Sequence, residues 1–276
     1  MESKLPSFKK PPLVETAISI QFQLIEGLKN AHLAIFWQSL QTEFPKIADA
    51  EPIPEQVEVF GEQARRIRRF PSFRFGGGGF ASRLQMTSQD DQAMLQVQNG
   101  RIVFNWRQAK DGEYPRWRNV FPRFKAAMAG FDKMLVSQGL GRIFPLQWEV
   151  VYVNHLPKGR DWNSSADWPS LFPGIIGNIT KNSVGALESL GYSTHITLPE
   201  AQGRVHVDLY NSFSGVEAAA PEILVFQITA RGGMVEPKLD CAYDGLELGH
   251  EAIVRTFCDL TSPEAQGRWE REVPKP

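Results

Sequence analysis

The chain has 276 residues, of which 42% are hydrophobic and 11% aromatic, enough for one large domain or two of ordinary size around a substantial core. A formal net charge of −1 excludes global electrostatic steering to nucleic acid or to an anionic membrane, so any such contact must come from a local patch. The two cysteines, Cys241 and Cys258, are too few for a disulfide framework, and no apolar run reaches signal-peptide or membrane-spanning length, so a cytoplasmic protein with no membrane partner is expected.

In chain order, Val14 to Leu24 alternates apolar residues with Glu15, Ala17, Ser19, Gln21 and Gln23, the period of a half-buried strand. Leu33, Phe36, Trp37, Leu40 and Phe44 recur at helical spacing, and Pro45 stops that helix. A polar, proline-containing stretch from Lys46 to Glu58 follows, then the basic cluster Arg65, Arg66, Arg68 and Arg69 and the glycines Gly76 to Gly79. No Gly-Lys-Ser and no helix follow these glycines, so they read as a connection between strands rather than a phosphate cradle. Lys46 to Gly79 is expected to be the least ordered internal region. Ser82 to Thr87, Ala93 to Gln98 and Arg101 to Arg107 read as strands, the last two joined by the hairpin signal Asn99-Gly100. Trp117, Val120, Phe121, Phe124, Met128, Phe131 and Leu135 then mark a long amphipathic helix ending near Gly139.

The second half repeats this order. Leu146 to Val153 is a strand, Trp168 opens a short helix, and strands follow at Tyr192 to Leu198, Val205 to Tyr210 and Ile223 to Ala230. Leu246, His250, Ile253, Phe257 and Leu260 mark a closing helix. The expected fold class is α+β, with two tandem modules at residues 1–142 and 143–276. Each would pack an antiparallel sheet on a long helix in a helix-grip or saddle-like arrangement, with two separate sheets or one continuous sheet both open.

Pro11-Pro-Leu-Val-Glu15, Arg83, the run Leu95 to Arg107 (LQVQNGRIVFNWR), and Glu113 to Trp117 (EYPRW) with Phe121 and Phe124 occur in an order that carries a resemblance. So do His250, Phe257, Leu260, Thr261 and Trp269 towards the end of the chain. Together they resemble an uncharacterised, sporadically distributed family of bacterial cytosolic proteins of similar length. That family supplies no catalytic residues; its sporadic distribution implies a link to phage-defence or mobile gene neighbourhoods.

Chemistry-bearing motifs are incomplete. His250-Glu251 has Val254 where a zinc-protease helix needs its second histidine, and His250 falls on an apolar stripe, where a hydrogen-bonded core histidine is expected. Gly191-Tyr-Ser-Thr-His195 lacks the last glycine of a nucleophile elbow. In the hairpin from Ser193 to Tyr210, apolar alternation places His195 across from Asp208 and Thr197 across from His206 on the polar face. His195, His206 and Asp208 would be an acid–base fragment of a hydrolase or nuclease, and equally a solvated sheet face. No metal site and no cofactor are expected.

The first half's strands put Arg83, Gln85, Gln96, Gln98, Arg101, Asn105 and Arg107 on the face away from the helices. Arginine, asparagine and glutamine make the bidentate contacts that recognise peptide groups or bases. The expected function is therefore a non-enzymatic recognition protein. Its partner would be a protein, encoded nearby or a second copy of the chain, bound through Arg83, Gln85, Gln96, Arg101, Asn105 and Arg107. Nucleic acid is the alternative partner, drawn by this face and the basic cluster.

Overall fold

A computed structural model of the chain describes residues 5–59, 83–109, 113–177, 185–215, 217, 220–234 and 236–272. Its strands are β1 (Ser7–Phe8), β2 (Leu13–Phe22), β3 (Lys46–Ala50), β4 (Arg83–Thr87), β5 (Ala93–Gln98), β6 (Arg101–Arg107), β7 (Pro145–Pro157), β8 (Gly191–Thr197), β9 (Arg204–Phe213), β10 (Glu222–Gly233) and β11 (Arg271–Glu272). The α-helices are α1 (Asn30–Gln38), α2 (Trp117–Ser137), α3 (Trp168–Leu171), α4 (Leu239–Leu260) and α5 (Pro263–Arg268).

The α+β class expected from the alternating patterns is what the chain adopts. Nine strands form one antiparallel sheet in the order β3-β4-β5-β6-β2-β7-β10-β9-β8. Its centre is the pairing of β2 with β7, where Ile18 meets Val150 and Ile20 meets Trp148. Period-two alternation sends Ile18, Ile20, Phe22, Leu95, Val97, Ile102, Phe104 and Trp106 to one face, and all are buried there. The apolar stripes of α2 and α4 cover that face: Phe131 of α2 packs its ring on Phe22 and on Phe36 of α1, at 5.9 and 5.2 Å between centroids.

Three elements differ from expectation. Lys46–Ala50 is an edge strand paired with β4, because hydrogen-bonding partners on a neighbouring strand outweigh weak local propensity. Leu13–Phe22 ends two residues before Leu24, which is exposed. Near the ends of the chain, β1 and β11 pair as a separate two-stranded ribbon that no local pattern announces. Arg65, Arg66, Arg68, Arg69 and Gly76 to Gly79 lie outside the described residues. Among the described residues, no helix is long and apolar enough to cross a membrane.

How closely α4 approaches the sheet is set by Trp148, which is 2% exposed. A Cβ added to Gly245 would lie 2.3 Å from its indole, and one added to Gly249 would lie 2.7 Å away. The two glycines are four apart, so they share one face of α4 and form a slot for the ring. Gly232 of β10 borders the same ring, with 2.4 Å to an added Cβ. A Gly245→Ala change gains up to about 1 kcal/mol of helix propensity, but overpacking a tight contact costs about 1–3 kcal/mol or more. The clash wins. Gly245→Ala should therefore lower the urea midpoint, and Trp148→Ala should cost about 3–5 kcal/mol. In the double variant the two losses should add to less than their sum, and a stabilised Gly245→Ala chain would contradict the close-approach account.

Candidate functional site

On the face away from α2 and α4, the register aligns polar side chains in rows. Gln98, Arg101, Gln21 and Gln147 stand side by side on β5, β6, β2 and β7. The next row on that face runs Gln85, Gln96, Val103, Ser19, Glu149, Arg231 and Arg204. After β3 the chain crosses the first row, held through its main chain. Gln98 accepts from Ile53 N at 2.8 Å and donates to Ile53 O at 2.9 Å. Gln21 accepts from Gln56 N at 3.3 Å and donates to Gln56 O at 2.8 Å. Gln147 accepts from Glu58 N at 2.7 Å and also donates to Gln56 O at 2.7 Å. A carboxamide carries the same donor and acceptor as a peptide unit, so the three glutamines act on residues 53–58 much as a neighbouring strand would.

This crossing delivers Glu58 into a cluster of two arginines and a histidine. Its carboxylate is buried, pairs with Arg204, accepts from His206 Nε2 at 2.9 Å, and lies 3.5 Å from Arg231. Burial pushes the Glu58 carboxyl up, but the hydrogen bond and charge of His206 and the charges of Arg204 and Arg231 outweigh it, leaving the pKa below the ordinary value. Glu149 binds the other side of Arg231 at 2.5 Å and accepts from Arg101 Nη2 at 2.9 Å, while Arg101 Nε reaches Ser19 Oγ at 3.1 Å. Arg101 from the first half and Arg231 from the second thus share one carboxylate, which satisfies charges that would be costly to bury alone.

The residues expected to bind a partner do share this face, and each engages a neighbour within the chain. Gln96 accepts from Arg83 at 2.7 Å and Gln85 at 3.1 Å, and donates to Asn105 at 2.6 Å. Asn105 in turn donates to Glu15 at 2.7 Å, and Arg107 pairs with the same carboxylate at 3.3 Å. Arg101, Gln96 and Asn105 are buried, whereas the Arg107 side chain is 52% exposed. The basic cluster at Arg65 to Arg69 lies outside the described residues.

The hairpin register differs from expectation by two residues. His195 faces His206, with ring centroids 4.6 Å apart, and Asp208 faces Ser193. A two-residue slip keeps every side chain on its face, so apolar alternation is blind to it. The turn decides: Pro199–Ala201 closes a tight loop through Leu198 N to Gly203 O at 2.9 Å. His206 is buried against Glu58, and Asp208 opens instead onto a shallow depression with Tyr192, Tyr210 and Gln227. The His195–Asp208 pair is not formed. Among the described residues, no group of three or more His, Cys, Asp or Glu side chains is placed to hold a metal ion.

Sequence reasoning missed Glu58 and Glu149, whose roles depend on a chain crossing and on strand order. It also missed a second polar cluster on the helix-covered face. There the Tyr114 and Tyr152 hydroxyls lie 2.9 Å apart, and Tyr152 Oη is 2.9 Å from His250 Nδ1. Trp117 stacks on His250 with centroids 4.4 Å apart and donates its Nε1–H to Glu247 at 2.8 Å. Burial lowers the His250 pKa to about 4, and it raises that of Tyr114 to about 12 and that of Tyr152 well above the ordinary value. Across from Tyr152 on β2, Thr16 is buried with its hydroxyl unpartnered. His250 is the hydrogen-bonded helix histidine that its apolar stripe anticipates, and EYPRW, which supplies Tyr114 and Trp117, was the available signal. Compared with protein-family models and with curated protein sequences, the chain matches none.

Two outcomes follow for the polar face. Glu149→Ala strands two buried guanidiniums and should cost about 3–5 kcal/mol in denaturant unfolding, whereas Arg107→Ala, at an exposed pair, should cost about 1 kcal/mol or less. Because the Glu58 pKa is lower in the folded chain, its contribution is complete above the ordinary carboxylate value and is lost as pH falls through the folded value. Hydrogen exchange at the amides of Ile53, Gln56 and Glu58, corrected for intrinsic rates, should accelerate over that acid range. In a Glu58→Gln variant the acceleration should disappear.

Proposed function

We propose that the chain is a non-catalytic recognition protein whose polar sheet face holds an extended segment of a protein partner. One observation carries this reading: three glutamines on β5, β2 and β7 bind the main chain of residues 53–58, and a cationic cluster receives the carboxylate that follows. Main-chain recognition by fixed carboxamides tolerates many side chains, and the Arg204, His206 and Arg231 cluster adds a preference for an acidic residue at one position. The chain's own segment is the resident occupant. A partner binds by exchange for it, and Arg101, Gln96 and Asn105 keep the platform rigid while Arg83, Gln85 and Arg107 border it.

A peptide is favoured over nucleic acid because Glu15, Glu58 and Glu149 stand among the arginines of this face and would repel phosphates. The arrangement of two tandem modules, residues 1–142 and 143–276, is part of the same proposal, supported by the repeated order of strand, helix, antiparallel strands and long helix. So is the accessory or sensor role in a bacterial defence or toxin–antitoxin-like system that the family resemblance implies.

The test uses a labelled peptide of residues 51–59 added to the full chain carrying Glu58→Ala, which weakens the resident segment. Anisotropy should report saturable binding to this variant, weak binding to the unaltered chain, and at least tenfold weaker binding when Gln21→Ala and Gln147→Ala are added. Single-stranded DNA serves as the competing ligand, since phosphate contacts would give a log–log salt slope of about 0.7 per phosphate neutralised. Salt-sensitive DNA binding without peptide binding would overturn the proposal.

A further inference from the structure

The helix-covered face holds a cavity of about 540 Å³ between the β1–β11 ribbon, the start of α2 and the middle of α4. Tyr114, Arg116, Trp117, Tyr152 and His250 line one side, and Phe8, Leu13, Ile253 and Phe257 form apolar walls. The space is open to solvent on part of its boundary and mixes apolar walls with a few converging polar groups, the composition of many small-molecule sites. Arg116 adds an independent sign. Its backbone sits at φ 74°, ψ 149°, a region that is essentially glycine-only, immediately before α2. A non-glycine residue is held there at a cost, which points to a use for the side chain. Its guanidinium spends Nη1 on Phe8 O at 2.6 Å, which fixes the group and leaves the remaining donors of the fork.

We propose that this cavity binds a small organic carboxylate with an apolar body, its carboxylate on Arg116 and a second polar group on the Tyr114–Tyr152–His250 relay. The charge of the lining selects an acid: among the described residues, Arg116 and Arg118 face it against one carboxylate, that of Glu272. The relay stays neutral near pH 7, so it adds no second charge to match. It has two proton arrangements. When Tyr114 donates to Tyr152 and Tyr152 to His250 Nδ1, the imidazole presents Nε2–H as a donor and the Tyr114 oxygen is free to accept; the reverse arrangement exchanges these roles. Either end can therefore meet a hydroxyl or carbonyl on the ligand, while the stacked Trp117–His250 pair and the phenylalanines hold its body. The site shares no residue with the polar face, and the inference stands independently of the peptide-recognition reading.

Calorimetric titration of the full chain tests it with decanoate and 2-naphthoate, which separate an alkyl from an aromatic body, and with the two corresponding neutral amides. At least one acid should bind, and its amide should bind at least tenfold more weakly. Arg116→Gly removes the guanidinium and relieves the backbone, so this variant should melt within a few degrees of the unaltered chain and bind the acid at least tenfold more weakly. Should that variant fail to fold, Tyr152→Phe carries the test, because it keeps the ring, breaks the relay, and should also weaken binding at least tenfold. No binding of either acid, equal binding of acid and amide, or unchanged affinity in the variant that folds would each overturn the proposal.

Discussion

The antiparallel pairing of β2 with β7 is the constraint on which the rest of the structure depends. It joins the strands of the first half to those of the second in one sheet, and it places β7 where both halves can reach it. Successive residues of β7 then serve opposite faces. Glu149 points to the polar face and takes Arg101 from one side and Arg231 from the other. Tyr152 points to the helix-covered face and takes Tyr114 from one side and His250 from the other. These two polar clusters are completed across the same seam.

The polar face departs from the common pattern in which one side of an antiparallel sheet is simply solvated. Here arginines and carboxylates are buried, and burial of an ion is tolerable only where its partners are close and its hydrogen bonds are filled. The crossing of residues 51–59 supplies both conditions. It brings Glu58 to two arginines and His206, and its main chain partners the glutamine carboxamides that lie buried beneath it. Segment and face thus stabilise one another: without the segment, Arg204, His206 and Arg231 would lose a shared counter-charge.

On the other face, Trp148 governs how α4 seats. Its indole fills the slot at Gly245 and Gly249, and the helix consequently lies close enough for His250, the residue after Gly249, to reach Tyr152 on the same strand. Packing and polar geometry are coupled here, because close-packed interiors transmit small displacements rather than absorb them. The strained Arg116 backbone at the start of α2 completes this arrangement by presenting Tyr114, Arg116 and Trp117 to one cavity.

Much of the architecture was legible in the sequence, because local pattern carries it. Alternation in β2, β5 and β6 set which side chains enter the core, Asn99-Gly100 set a hairpin and its register, and the stripes of α2 and α4 set two covering helices. The shared face of Arg83, Gln85, Gln96, Arg101, Asn105 and Arg107 followed from the same alternation. What those residues touch did not. Glu149 meets Arg101 only because β7 lies beside β2, and Glu58 meets Arg204 only because the chain crosses the sheet; both are contacts between residues far apart in sequence, which periodicity does not encode. The pairing of His195 with His206 instead of Asp208 turned on two residues of register that leave every hydrophobic position unchanged, so the turn at Pro199–Ala201 decided it. The cavity, likewise, is a space between elements. Its walls come from β1, β2, α2, β7, α4 and β11, and only their assembly brings Tyr114, Tyr152 and His250 within hydrogen-bonding distance.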